Sequence, residues 1–160
     1  MEIFELEKQV WDDQDFSIMG WHDTKVWSIF ANSTDFEFIL DLDYIFKWVH
    51  PKEGEIDRRF KFWISPVTMV FVNVNGVKIN TDSQQGNIEI INLHRENPQL
   101  TPNGKLTEYT YRFECWEGDI SVRATGFKMF VRRKPELLQE QSFELAQRQG
   151  ISFARELNTL

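Results

Sequence analysis

Apolar and polar positions alternate over one long stretch of the chain, residues 36–49. Seven large apolar side chains occupy every second position there, namely Phe36, Phe38, Leu40, Leu42, Tyr44, Phe46 and Trp48. A period of two places successive side chains on opposite sides of an extended backbone, whereas a helix would scatter these seven around its axis. The pattern predicts a long strand with one apolar face and one mixed face, and its length predicts a bend or bulge midway.

Shorter β-branched and aromatic runs, separated by turn residues, predict further strands on both sides of this stretch. Asn75-Gly76 predicts a tight hairpin, because both central residues of a type I′ turn need a positive φ. Near the end of the chain, Pro135 is well placed as a first helical residue, and Gly150 is a typical residue to end a helix. The leucines and Phe143 between them indicate one modestly amphipathic C-terminal helix.

The 160 residues have the size of a single domain, 1–160, and show no linker or internal repeat. About seven or eight strands and one C-terminal helix are predicted in total. Successive strands joined by short turns favour a mainly β fold, an antiparallel sandwich, roll or partly closed barrel. The sequence leaves these three architectures open.

The formal net charge of −7 is distributed unevenly. Residues 1–57 hold 14 acidic and 4 basic side chains, whereas residues 58–160 hold 11 acidic and 14 basic ones. A nucleic-acid partner is not expected, because phosphate contacts need a concentrated basic surface. The acidic half favours a face that meets a basic protein partner, or else a solvated surface that only aids solubility.

Two short basic runs lie in the second part of the chain, Arg58-Arg59-Phe60-Lys61 and residues 128–134. Basic residues interleaved with aromatic ones can bind RNA, but both runs are short and the protein is acidic overall. They are interpreted as solvated strand ends that balance the acidic half.

Cellular location is constrained by what the sequence lacks. One cysteine, Cys115, cannot form an intramolecular disulfide or a multi-cysteine zinc site. The first residues lack the basic and apolar regions of a secretory signal, and no apolar run approaches the roughly 20 residues that span a bilayer. The expected location is the bacterial cytoplasm, without a membrane partner.

The most suggestive polar group combines His22 and Asp23 with Asp41 and Asp43. Asp41 and Asp43 share the mixed face of the long strand, and a hairpin with the strand after His22-Asp23 would bring all four together. Such a cluster could contact a basic partner, hold a hard divalent cation or act as a general acid and base. The alternative is that both aspartates lie on a solvated sheet face.

Catalytic signatures are missing from the chain. Gly104-Lys105 lacks the remaining residues of a phosphate loop, and there is no serine elbow, zinc-protease helix or dinucleotide fingerprint. The sequence therefore favours a protein that is not an enzyme, and it predicts no cofactor.

Three stretches, residues 15–23, 38–45 and 62–68, resemble those of an uncharacterised family of small β-rich bacterial proteins. The Trp21-His22-Asp23 triplet before a strand is similar to that of immunity proteins that neutralise partner toxins. The resemblance covers about the first half of the chain and implies a binding module without assigning any functional residue.

The leading hypothesis is a non-enzymatic protein-binding module that uses an acidic, aromatic-rich β surface, including His22, Asp23, Asp41 and Asp43, in the manner of an immunity-type inhibitor. Two alternatives remain open. One is a small-molecule pocket protein or enzyme with its site around His22, Asp41 and Asp43, and the other is a divalent-metal-binding protein.

Overall fold

The computed structural model describes residues 3–158, and these residues form one antiparallel sheet of ten strands with one short 3-10 helix, Asp13–Ile18. The strands are β1 (Val10–Asp12), β2 (Thr24–Asn32), β3 (Glu37–Val49), β4 (Lys61–Val72), β5 (Asn75–Thr81), β6 (Ile88–Leu100), β7 (Thr107–Cys115), β8 (Gly118–Ala124), β9 (Gly126–Val131) and β10 (Glu136–Leu138). The mainly β antiparallel fold is confirmed, although the strand count exceeds the expected seven or eight.

The long alternating stretch is strand β3, as the period of two predicts. Its register against β4 shifts between Ile45 and Lys47, so the expected bulge lies in the second half of the strand. The core-facing side chains Phe38, Leu40 and Leu42 are each 0% exposed.

The strands follow the order β1-β9-β4-β3-β2-β6-β7-β8-β5, and β10 pairs with β4 beyond the end of β9. The hairpin expected at Asn75-Gly76 is wrong, because β5 pairs with β8 rather than with β4. The chain instead bends at Asn73, where φ is +52°, and passes from β4 directly into β5. Before this bend the chain pairs with β9, and after it the chain pairs with β8.

The sheet curls on itself around an aromatic core. Phe71 on β4 and Tyr111 on β7 are four strands apart in the sheet order, which in a flat sheet would separate them by about 19 Å. Their ring centroids are 5.1 Å apart, so the two parts of the sheet face each other. The ends of the sheet, β1 and β5, are not paired with each other within residues 3–158, so the sheet is not closed into a barrel.

The predicted C-terminal helix is wrong, since residues 135–150 contain no helix. Leu137 and Leu138 instead extend the sheet beside β4. The chain then crosses the outer face of the sheet, where a single turn at residues 144–148 ends at Gln149 and Gly150, both with positive φ. Contacts with the sheet replace the intrahelical hydrogen bonds in this region, as described below. Residues 3–158 include no helix that is long and apolar enough to cross a membrane.

Candidate functional sites

Asp41 and Asp43 lie on the outer face of β3, opposite its core-facing residues, and each is 0% exposed. The covering layer is the stretch of residues 139–158, here called the C-terminal segment. The expectation that these two aspartates lie on an accessible or solvated face is therefore wrong. Protein donors occupy their carboxylate oxygens, as described next, and a small-molecule site that includes these residues stays a prediction.

Two buried arginines neutralise these carboxylates. Arg148 of the C-terminal segment donates from Nη2 to Asp41 Oδ1 at 2.6 Å, from Nη1 to Asp41 Oδ2 at 2.8 Å and from Nε to Asp43 Oδ1 at 3.1 Å. Arg132, which follows β9, donates from Nη2 to Asp41 Oδ1 at 2.8 Å. A charge removed from water is tolerated only when it is paired and hydrogen-bonded, and this cluster meets both conditions.

Backbone groups of the C-terminal segment complete the cluster. The Phe143 amide donates to Asp43 Oδ2 at 2.9 Å, and the Ser152 amide donates to Asp41 Oδ2 at 2.9 Å. Trp27 Nε1 on β2 adds a bond of 2.8 Å to Asp43 Oδ2. These contacts fasten the C-terminal segment to the sheet, so the cluster of Asp41, Asp43, Arg132 and Arg148 has a clear structural role. Whether Asp41 or Asp43 also binds a partner stays a prediction.

The substitution Arg148→Ala tests this structural role. We expect it to lower the free energy of unfolding by about 3–5 kcal/mol, because it leaves two buried carboxylates short of their main counter-charge. Urea denaturation measures the change. The control is Arg155→Ala, which breaks an ion pair with Glu37 in which the Arg155 side chain is 42% exposed, and which should cost less than about 1 kcal/mol. Equal losses for both variants would contradict the assigned role.

His22 and Asp23 form the turn that leads into β2. His22 Nδ1 is 2.9 Å from Asp23 Oδ2, and the same oxygen accepts a bond of 2.8 Å from Gln141 Nε2 of the C-terminal segment. Asp23 has a φ of +67°, in the left-handed region that costs most non-glycine residues energy. The four predicted residues thus divide between two clusters, and His22 and Asp23 belong to a different one from Asp41 and Asp43.

Sequence reasoning missed Glu89 on β6, the third member of the His22–Asp23 cluster. Burial, a hydrogen bond with Asp23 and the nearby charges of Asp23 and Glu117 raise the pKa of Glu89 to about 7, while His22 opposes the shift. Glu89 therefore keeps its proton well above the pH at which an exposed glutamate ionises. Asp23, Glu89 and Glu117 are thus near one another. Even so, residues 3–158 contain no group of three or more His, Cys, Asp or Glu side chains arranged to hold a metal ion.

The raised pKa of Glu89 makes stability depend on pH. Between about pH 4.5 and 7 the folded protein holds a proton that the unfolded chain has released, so stability falls as the pH rises. Glu89→Gln removes the ionisable group, and at pH 8 it should be more stable than the wild type by about 1 kcal/mol, after allowance for solvent screening at this partly exposed site. Thermal melts from pH 4.5 to 8 measure the difference.

The matched control for this prediction is Glu53→Gln in the exposed β3–β4 loop, which should follow the wild-type curve. A difference between Glu89→Gln and the wild type that stays constant across the pH range would contradict the raised pKa.

A third site was not predicted from the sequence. An open cleft of about 580 Å³ lies where the β3–β4 loop, β10 and the first described residues of the chain meet. Its volume is within the range of small-molecule sites. The apolar part of its lining includes Phe4, Val49, Trp63 and Leu137. Trp63 is 7% exposed and paired within the sheet, so it is a rigid wall of the cleft.

Basic side chains surround this apolar wall. Lys52, Arg59, Lys61 and Lys134 line the cleft, against only two carboxylates, Glu55 and Glu136. Arg59 is held by Asp57 through contacts of 3.1 and 3.2 Å. Among the described residues 3–158 none of the three lysines forms an ion pair, although Lys61 lies near enough to Asp57 to contribute to lowering the pKa of that carboxyl.

The two basic runs of the sequence contribute to this one cleft, the first through Arg59 and Lys61 and the second through Lys134. Their interpretation as separate solvated strand ends is thus incomplete. Elsewhere in the second run, Arg132 is buried against Asp41 rather than solvated. Basic side chains from both runs line the same cleft, and the sequence of either run alone does not show this.

The described residues thus form a curled antiparallel sheet with an open cleft that is lined largely by basic and apolar side chains. Comparison of the chain with protein-family models, with curated proteins and with solved structures gives no match in any of the three.

Proposed function

We propose that this protein binds a small organic anion with an apolar group, and that the basic cleft is the binding site. The observation that supports this proposal is the meeting of three unpaired lysines over an apolar wall in a protein of net charge −7. Such a concentration of one sign of charge in a cleft raises the local concentration of ligands of the opposite sign.

Each part of the cleft has a role in this proposal. The indole of Trp63, together with Val49 and Leu137, binds the apolar group and excludes water from it. Lys61 and Lys134, which both line the cleft, supply the positive charge that attracts the acidic group. Lys52, in the exposed loop, adds to the attraction at the mouth of the cleft.

This proposal keeps the small-molecule alternative from the sequence analysis, but it places the binding site in the basic cleft rather than around His22, Asp41 and Asp43. The hypothesis of a basic protein partner, in the manner of an immunity-type inhibitor, stays a prediction. It is not our leading proposal because two of its four contact residues, Asp41 and Asp43, are buried against arginines. For the same reason, a divalent-cation site at these aspartates is not proposed.

Binding of naphthoate, an apolar ring system with a carboxylate, tests the proposal by calorimetric titration. The double variant Lys61→Glu/Lys134→Glu should weaken naphthoate binding at least tenfold, because it replaces attraction of the carboxylate by repulsion. The uncharged analogue naphthol should bind the wild type more weakly than naphthoate does.

The matched control is Lys78→Glu/Lys128→Glu, which makes the same change in net charge at two exposed lysines outside the cleft. It should retain wild-type affinity for naphthoate. A similar loss in both double variants would mean that net charge alone governs binding, and no detectable naphthoate binding to the wild type would refute the proposal.

A further inference from the structure

A second cleft of about 510 Å³ adjoins the first and is lined by Ile3, Phe4, Glu5, Lys47 and Trp63. Ile3, Phe4 and Trp63 line both clefts. Residues 3–7, here called the N-terminal segment, therefore contribute Ile3 and Phe4 to both clefts, which meet at Trp63 and are together called the groove.

The N-terminal segment is held mainly by side chains. The Phe4 ring lies 5.7 Å from the Trp63 ring and 5.9 Å from the Phe46 ring, centroid to centroid, and Leu6 packs against the core. Among residues 3–158, the first backbone hydrogen bond that joins this end of the chain to the sheet is that of Gln9, whose carbonyl accepts from the Val131 amide at 3.0 Å. A segment with so few backbone hydrogen bonds opens at low free-energy cost.

The N-terminal segment carries the same two kinds of group as the proposed ligand, an apolar group and an acid. Phe4 places an aromatic ring on Trp63, and the adjacent Glu5 places a carboxylate in the cleft that Lys47 also lines. The free protein thus already holds an aromatic group followed by an acid at this position. A ligand that uses the same surface of Trp63 would have to displace Phe4.

We infer that the ligand is an aryl carboxylic acid and that the N-terminal segment competes with it, because Phe4 occupies the surface of Trp63 to which the aryl group binds. This inference rests on the proposed function and adds the ligand class and a form of self-inhibition. Only molecules in which Phe4 does not cover Trp63 can bind the ligand, so the apparent affinity equals the intrinsic affinity multiplied by the fraction of such molecules.

Phe4→Ala in the full chain tests the competition. If Phe4 competes with the ligand, the variant should bind naphthoate several-fold to about tenfold more tightly, because an aromatic pair contributes about 0.5–1.5 kcal/mol beyond its buried area. The control is Phe36→Ala, at a 64% exposed position outside both clefts, which should leave the affinity unchanged. Weaker or unchanged binding by Phe4→Ala would overturn the inference, since Phe4 would then be part of the binding wall or irrelevant to it.

A second measurement uses the wild-type protein. Nuclear Overhauser contacts between the Phe4 and Trp63 ring protons should be present in the free protein and should disappear when naphthoate saturates it. Contacts that persist in the saturated protein would overturn the competition while leaving the proposed function intact. If neither the wild type nor Phe4→Ala binds naphthoate, the proposed function fails and the inference fails with it.

Discussion

The structure depends on the neutralisation of two carboxylates inside it. Asp41 and Asp43 are held by β3, which is buried on both faces over most of its length. An unpaired carboxylate in such a position costs several kcal/mol, so the fold requires Arg132 and Arg148 to be in place. Because Arg148 belongs to the C-terminal segment, this requirement also positions the stretch that covers the outer face of the sheet.

The position of the C-terminal segment has consequences for the basic cleft. The segment continues directly from β10, whose residues Glu136 and Leu137 line the cleft, and Lys134 comes just before this strand. Arg59 also donates from Nη2 to Gln139 Oε1 at 3.4 Å, which joins the β3–β4 loop to the start of the segment. The buried ion pairs thus help to fix one side of the proposed site, although their own side chains do not line it.

Local sequence patterns were sufficient to predict most of the strands, but they could not predict the contacts between distant parts of the chain. The alternation in β3 identified the strand and its core-facing residues, because side-chain direction follows from the period of two alone. The same pattern could not show that Asp41 and Asp43 are buried. Their partner Arg148 is 107 positions from Asp41, and a polar residue on a strand is equally compatible with solvent.

The wrong expectations have a common physical origin. The residues before Gly150 have helix-like spacing, but β-sheet pairing of β10 and the hydrogen bond from Phe143 to Asp43 compete with intrahelical bonds. Gly76 does adopt a positive φ of +63°, yet the neighbouring strands pair with other partners. The basic cleft was missed because Lys61 and Lys134 come from separate runs, and the sequence did not show that β10 pairs with β4 and so brings the second run to the same cleft.

The central claim is that Asp41 and Asp43 hold the C-terminal segment on the sheet, and amide hydrogen exchange tests it most directly. The Phe143 and Ser152 amides, which donate to these two carboxylates, should exchange as slowly as the most protected amides of the β3–β4 ladder, because releasing them exposes the ion pairs. Exchange of both amides at the rate of the exposed β3–β4 loop would contradict the account.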